Sequence, residues 1–250
     1  MRKPLIAGNW KMHMTVNEAV ELAGAVAKSS SDVSDREVMI APPYTALLEV
    51  ARALEGSNVL LSSQNVCWEE KGAFTGEISP VMLKDIGCSM AIIGHSERRH
   101  VFGEDNKMVN KRILGAQKFG MVPVFCIGET LDEREAGHTF KVLESQVREG
   151  LVGVEISDPA TIVVAYEPVW AIGTGKTATV VQAQEVHAFV RELLAGMYQK
   201  NVASEIRILY GGSVNPENVD ALMSEEDVDG ALVGGAALKP ELFDRIIHFQ

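Results

Sequence analysis

Ile162-Val163-Val164-Ala165-Tyr166 is an apolar run with no polar alternation, and it passes directly into Glu167-Pro168. A strand that is apolar on both faces is buried on both, as in a parallel sheet covered by helices. Seven other short runs read the same way: Leu5 to Gly8, Val38 to Ala41, Val59 to Ser63, Met90 to Gly94, Val122 to Ile127, Ile206 to Tyr210 and Ala231 to Val233. Their spacing averages about 32 residues, the length of one βα unit.

Helical patterns fill the intervals. Thr15 followed by Glu18 reads as a capping box opening a helix from Thr15 to Lys28. Ser79-Pro80 and Asn215-Pro216 place a capping side chain before a proline at the first helical position, where the missing N–H costs nothing. Gly56, Gly87 and Gly120 fall where helix C-caps belong. Long amphipathic patterns cover Leu131 to Leu151 and Thr177 to Tyr198, and a short one begins at Pro240. Eight such units use up the 250 residues, so residues 1–250 are expected to form one domain, a single (β/α)8 barrel. An open doubly wound sheet would have fewer strands and a glycine fingerprint after the first, where this chain has Asn9-Trp10-Lys11.

Composition narrows the function. With 46% hydrophobic and 23% charged residues the chain has the balance of a soluble globular protein, which excludes disorder and fibres. A net charge of −11 repels phosphate backbones and anionic lipid heads, so neither nucleic acid nor a membrane surface is expected as a partner. Cys67, Cys88 and Cys126 are an odd set without a C-x-x-C pair, which fits a reducing cytosol. Met1-Arg2-Lys3 is followed by only Leu5-Ile6-Ala7-Gly8, too short for an export signal, so the expected location is cytoplasmic.

Catalytic groups of a barrel come from the C-terminal ends of its strands. There the chain carries Asn9 and Lys11, His95-Ser96-Glu97, Glu167-Pro168, Gly211-Gly212-Ser213 and Gly234-Gly235. Singly, a Glu at a strand end reads as a rim residue, a His as structural and a Gly pair as a turn; their joint placement on one face points to chemistry. The glycine turns after the last two strands are where barrels commonly bind phosphate through backbone N–H groups, with Lys11 as a local cation. Gly175-Lys176-Thr177 lacks the upstream glycine of a P-loop, and Gly173-x-Gly175-x-x-Ala178 lies too far from its strand for a dinucleotide turn. His95-x-Glu97 has no P-C-x-x-C to complete a zinc site. No metal and no cofactor are therefore expected. Cys126 reads as a packed core thiol, and Lys11 as a charge stabiliser or a Schiff-base lysine.

Five segments in order, Ala7-Gly8-Asn9-Trp10-Lys11, Ile93-Gly94-His95-Ser96-Glu97-Arg98-Arg99, the stretch from Ala165 through Tyr166-Glu167-Pro168-Val169-Trp170 to Gly175, Tyr210-Gly211-Gly212-Ser213-Val214 and Leu232-Val233-Gly234-Gly235-Ala236, strongly resemble the triosephosphate isomerase family. The resemblance implies interconversion of dihydroxyacetone phosphate and glyceraldehyde 3-phosphate through an enediolate, a step of glycolysis and gluconeogenesis. It implies that Glu167 is the base, that His95 is the electrophile at the substrate oxygens, and that Lys11 balances oxyanion and phosphate charge. Asn9 and Glu97 would orient Lys11, with Glu97 alternatively a structural ion pair. Ser96 would cap a short helix beside His95. Phosphate would meet Asn9, Lys11, Gly173, Ser213, Gly234 and Gly235.

Pro168-Val169-Trp170-Ala171-Ile172-Gly173-Thr174-Gly175-Lys176-Thr177-Ala178 resembles the family's closing lid. The loop Val66 to Glu77, with Cys67, Trp68 and Phe74, is long and carries exposed aromatics unusual in a monomer. The resemblance implies that it docks into a second copy, making a homodimer with Thr75 near Asn9 and Lys11 of the partner subunit. Ala237 stands where the family more often has serine, which predicts slightly looser phosphate gripping. The rival readings are another phosphosugar epimerase or aldolase, and a non-catalytic phosphosugar-binding barrel.

Overall fold

A computed structural model of the chain describes residues 2–173 and 177–250. Among the described residues, eight parallel strands close into a barrel: β1 (Leu5–Asn9), β2 (Glu37–Ala41), β3 (Leu60–Ser63), β4 (Met90–Ile93), β5 (Val122–Ile127), β6 (Val163–Tyr166), β7 (Arg207–Tyr210) and β8 (Gly230–Val233). Each pairs with the next, and β8 returns to β1 with Ala231 opposite Ile6. The expected (β/α)8 architecture is the one observed.

The strands lack polar alternation because both of their faces are dry. One set of strand residues, including Leu5, Ala7, Met39, Ile92, Cys126 and Ala165, packs only against other strand residues inside the barrel. The alternating set, including Ile6, Ile40, Phe125 and Ile208, packs outward against the helices. Side chains on a strand repeat every second residue, so each inner series can be extended past its strand. Leu5 and Ala7 lead to Asn9, Val124 and Cys126 to Gly128, Val163 and Ala165 to Glu167, Leu209 to Gly211, and Leu232 to Gly234. These five inner positions at the mouth of the barrel thus hold one carboxylate, one amide and three glycines.

Helix boundaries follow the punctuation in most places. Glu18 accepts from the Thr15 N–H at 2.8 Å to open the helix Val16–Ser29, and the Ser79 hydroxyl accepts from the Met82 N–H at 3.2 Å to open Pro80–Asp85. Two expectations need correction. The pattern from Leu131 to Leu151 is two helices, Leu131–Glu135 and Thr139–Gly150, because Gly137 takes φ +71° between them. At Asn215-Pro216 the Asn215 carboxamide accepts from the N–H groups of Glu217 and Asn218, which makes a turn, and the helix begins only at Val219. Among the described residues no helix is long and apolar enough to cross a membrane.

The loop from Val66 to Glu77 is better anchored than its sequence suggests. Arg112, almost fully buried, donates to the Val66 carbonyl at 2.6 Å and grips Glu77 with two bonds of 2.8 and 3.0 Å. Trp68 meets Phe74 edge-on at 5.5 Å and lies so close to Gly115 that a Cβ there would come within 2.4 Å of the Trp68 Cα. The ends of the loop and its tryptophan are therefore fixed to their own barrel, while Thr75 stays exposed at the tip.

Candidate active site

A cleft of about 380 Å³ opens at the C-terminal ends of the strands. Asn9, Lys11, His95, Glu167, Ser213, Gly234 and Gly235 all line it, as does Gly173 from the lid. The residues singled out on separate strands are thus brought to one place. Glu97 does not line the cleft; its carboxylate holds the Lys11 ammonium at 2.7 Å, so it reaches the site through Lys11.

Glu167 sits at the end of β6 with its carboxylate buried. One oxygen accepts from the Ser96 N–H at 2.9 Å, and the other lies 2.9 Å from His95 Nε2. Neighbouring strands make room for it with glycine on both sides. A Cβ at Gly211 would lie 2.8 Å from Glu167 Cγ, and one at Gly128 would lie 1.7 Å from the Glu167 carbonyl oxygen. These steric roles were not legible in the sequence, where Gly211 reads only as part of a phosphate turn and Gly128 draws no attention.

The short helix Ser96–His100 is capped by His95 itself, not by Ser96 as expected. Gly94, at φ +73°, turns the chain after β4, and His95 Nδ1 then accepts from the Glu97 N–H at 3.2 Å. That bond uses the Nδ1 lone pair and leaves the ring hydrogen on Nε2, aimed at Glu167. Burial disfavours charge on both partners. The His95 ring and the Ser96 N–H nevertheless hold the Glu167 carboxyl below the usual carboxylate range, and Glu167 in turn draws the His95 pKa upward. The Glu97 N–H resists full protonation of the ring, because a proton on Nδ1 would deprive that donor of its acceptor.

Lys11 lies in the left-handed region at φ +51°, a conformation that costs a non-glycine residue of order 1 kcal/mol and is kept only where the surroundings enforce it. Three bonds do so. The Lys11 N–H donates to Asn9 Oδ1 at 3.0 Å, the Lys11 carbonyl accepts from Gln64 Nε2 at 2.7 Å, and the ammonium meets Glu97. Gln64, from the end of β3, also donates to the Ala41 carbonyl at 2.9 Å, and nothing in its sequence context marked it. An ammonium already paired with a carboxylate suits charge stabilisation better than Schiff-base chemistry.

On the adjacent wall, after β8, Gly235 opens a single 3₁₀ turn, Gly235–Leu238. The first bond within it is from the Ala237 N–H to the Gly234 carbonyl at 2.9 Å, so the N–H groups ahead of it have no partner inside the turn. Lys11 packs over this loop, its Cε 3.6 Å from where a Gly234 Cβ would stand. Asn218 Nδ2 donates to the Ser213 carbonyl at 2.9 Å and fixes the neighbouring turn. Ala237, by contrast, is fully buried against Gly8 and does not line the cleft. The expectation of a looser phosphate grip at Ala237 is corrected accordingly: its side chain faces the core.

The lid leaves β6 through Pro168, and residues Val169–Ala171 form one 3₁₀ turn. Glu129 anchors it: its carbonyl accepts from the Val169 N–H at 3.0 Å, and its buried carboxylate accepts from Trp170 Nε1 at 3.0 Å and from the Tyr166 hydroxyl at 3.1 Å. Arg134 supplies the countercharge at 3.1 Å and lies over the Trp170 ring. Thr174, Gly175 and Lys176 of the expected lid lie outside the described residues; Thr177 and Ala178 lead to Thr179, the N-cap of the helix Val180–Met197.

Comparison with known proteins agrees with this geometry. The family profile described as triosephosphate isomerase matches residues 4–250. A protein of Citrifermentans bemidjiense named triosephosphate isomerase is 55% identical over 250 residues, covering all of both chains. Proteins of the same name from Endomicrobium trichonymphae and Thermoanaerobacter pseudethanolicus are 53% and 52% identical, again over the whole of each chain. The chain belongs to the triosephosphate isomerase family.

Proposed function

We propose that this protein interconverts dihydroxyacetone phosphate and D-glyceraldehyde 3-phosphate at this cleft, with Glu167 as the single base. The observation that carries the reading is the contact of a buried carboxylate with an imidazole N–H, beside an ammonium, in a cleft walled by glycine turns. The two carbons exchanging hydrogen are adjacent, so one carboxylate can take a proton from the first and return it to the second. Glu167 is engaged by the Ser96 N–H and the His95 ring. Its movement onto the substrate carbon frees the His95 Nε2–H to donate to the carbonyl oxygen, so one displacement arms both groups. Negative charge developing on the enediolate oxygens meets that N–H and the Lys11 ammonium, and stabilisation of developing charge by fixed donors is the main lever of such sites. Phosphate binding between Gly173, Ser213 and the Gly234-Gly235 turn would draw the lid over the cleft and expel water from the intermediate. The expected result is isomerisation of glyceraldehyde 3-phosphate in a coupled assay, with chelator present and no cofactor added. A protein that binds the triose without turnover would instead be a phosphosugar-binding barrel.

The second part of the reading is a homodimer. Met12 is 94% exposed directly after Lys11, Phe102 is 69% exposed over the Arg98 guanidinium, and Tyr44 reaches the Asn65 carbonyl beside the Val66–Glu77 loop. All three follow the C-terminal ends of strands, at the end of the barrel that also carries this loop, and large apolar side chains left exposed there suit burial by a second copy. Sedimentation at micromolar concentration should show a dimer; a fully active monomer there would rule it out. Three buried free thiols suit a reducing cytosol as the place of action.

A further inference from the structure

Lys239 lines the same cleft as Lys11, yet lies outside the motifs that marked the site. It follows the Gly235–Leu238 turn and is the N-cap of the helix Pro240–Ile247. Its backbone is fixed: the N–H donates to the Ala236 carbonyl, and the carbonyl accepts from the N–H groups of Leu242 and Phe243. Its side chain is exposed, and among the described residues it has no hydrogen-bond or ion-pair partner. The other lysine of the cleft differs in that its ammonium is held by Glu97 at 2.7 Å.

This difference matters for a dianionic ligand. A chain with net charge −11 repels a phosphate at long range. Inside the cleft, Lys11 is balanced by Glu97, and Glu167 contributes a further carboxylate. Among the described residues that line the cleft, Lys239 is therefore the cation with no countercharge, and it stands on the wall formed by the Gly234-Gly235 turn. Its long flexible stem keeps the ammonium in water, where it needs no desolvation before meeting an anion.

We propose that Lys239 is the outer capture residue for the substrate phosphate, attracting the dianion at the mouth of the cleft and delivering it to the backbone N–H groups of the Gly234-Gly235 turn. This rests on the isomerase reading for the identity of the substrate, but not for the binding of phosphate itself. Local charge at a cleft raises ligand capture by factors of 10 to 10³, and salt screens it beyond about 10 Å at 0.1 M.

The test uses inorganic phosphate as the probe, with binding measured by calorimetry at low and high sodium chloride. Lys239→Glu should weaken binding about tenfold at low salt and only about twofold at high salt, with Lys239→Ala between it and the wild type. Lys239→Arg should retain affinity. Lys141→Glu, an equal change of net charge on an exposed helix away from the cleft, should leave phosphate binding as it was. In steady-state kinetics, kcat/KM for the phosphorylated triose should fall with Lys239→Glu by a similar factor, while that for unphosphorylated glyceraldehyde does not. Equal phosphate affinity in Lys239→Glu and wild type, or equal weakening by Lys141→Glu, overturns the proposal. A wild type that binds phosphate with this dependence but isomerises nothing would refute the isomerase reading alone; one that isomerises the triose but binds no phosphate refutes the capture proposal alone.

Discussion

Glu167→Gln should lower kcat/KM for glyceraldehyde 3-phosphate by about three orders of magnitude while the protein remains folded. A positioned base contributes typically ~10²–10⁴-fold, and glutamine keeps the shape of the side chain while losing all capacity to accept a proton at neutral pH. The local geometry adds to the loss. Both Glu167 oxygens face donors, the Ser96 N–H and the His95 Nε2–H. A carboxamide can present its oxygen to one of them only, so its NH2 must oppose the other. The variant would thus disturb the electrophile as well as remove the base. Glu167→Asp, which keeps the charge but withdraws it by one methylene, should fall less far, by about 10²-fold. Retention of more than a tenth of wild-type kcat/KM by the glutamine variant would mean that another group moves the proton.

Such a prediction could be framed on sequence alone, and the reason is physical. A barrel puts chemistry at the ends of its strands, and the strand runs stand out because they are dry on both faces. Their boundaries agree with the structure to within one residue at either end. Once the runs are set, Asn9, Lys11, His95, Glu167, Ser213 and Gly234 are found by looking just beyond them. Helix boundaries were less legible where the decisive term is a backbone conformation. Gly137 divides one amphipathic pattern by taking positive φ, and Asn215 folds its side chain onto the following N–H groups.

What the sequence hid are residues that act through others. Gln64 holds the Lys11 carbonyl from a different strand, and Glu129 collects Tyr166, Trp170 and Arg134 under the lid. Neither belongs to a local pattern, because each depends on contacts between segments far apart in the chain. Ser96 reads in the sequence as a side-chain cap, whereas its contribution is a backbone N–H that meets Glu167. Backbone donors carry no residue identity, so no motif can announce them. Lys239 was obscured differently: it precedes Pro240 and reads as the entrance to the last helix, although its side chain lies on the cleft wall.

Gly128 is the most consequential of the hidden positions, and Gly128→Ala should cost about 100-fold in kcat or more without altering any group that touches substrate. The added methyl would stand 1.7 Å from the Glu167 carbonyl oxygen and 2.6 Å from its carbon. Relief to ordinary contact requires a displacement of more than an ångström. Neither side can yield cheaply. Gln146 fastens Gly128 from both directions, its Oε1 accepting from the Gly128 N–H at 2.7 Å and its Nε2 donating to the Gly128 carbonyl at 3.0 Å. Glu167 is tied by its own N–H to the Ile127 carbonyl at 2.7 Å. The strain therefore falls on the backbone that aims the base, and misplacement by about 1 Å is enough for a loss of about 10²-fold. Overpacking of this kind also costs about 1–3 kcal/mol of stability, so the melting temperature should drop while the barrel persists. Gly196→Ala, where an added Cβ meets nothing within 4 Å on a helix, provides the contrast and should leave both properties near wild type. Activity normalised to folded protein separates the two effects. A folded Gly128→Ala variant with wild-type kcat would show that β5 and β6 can part without moving the carboxylate, and the positioning role assigned to this glycine would fail.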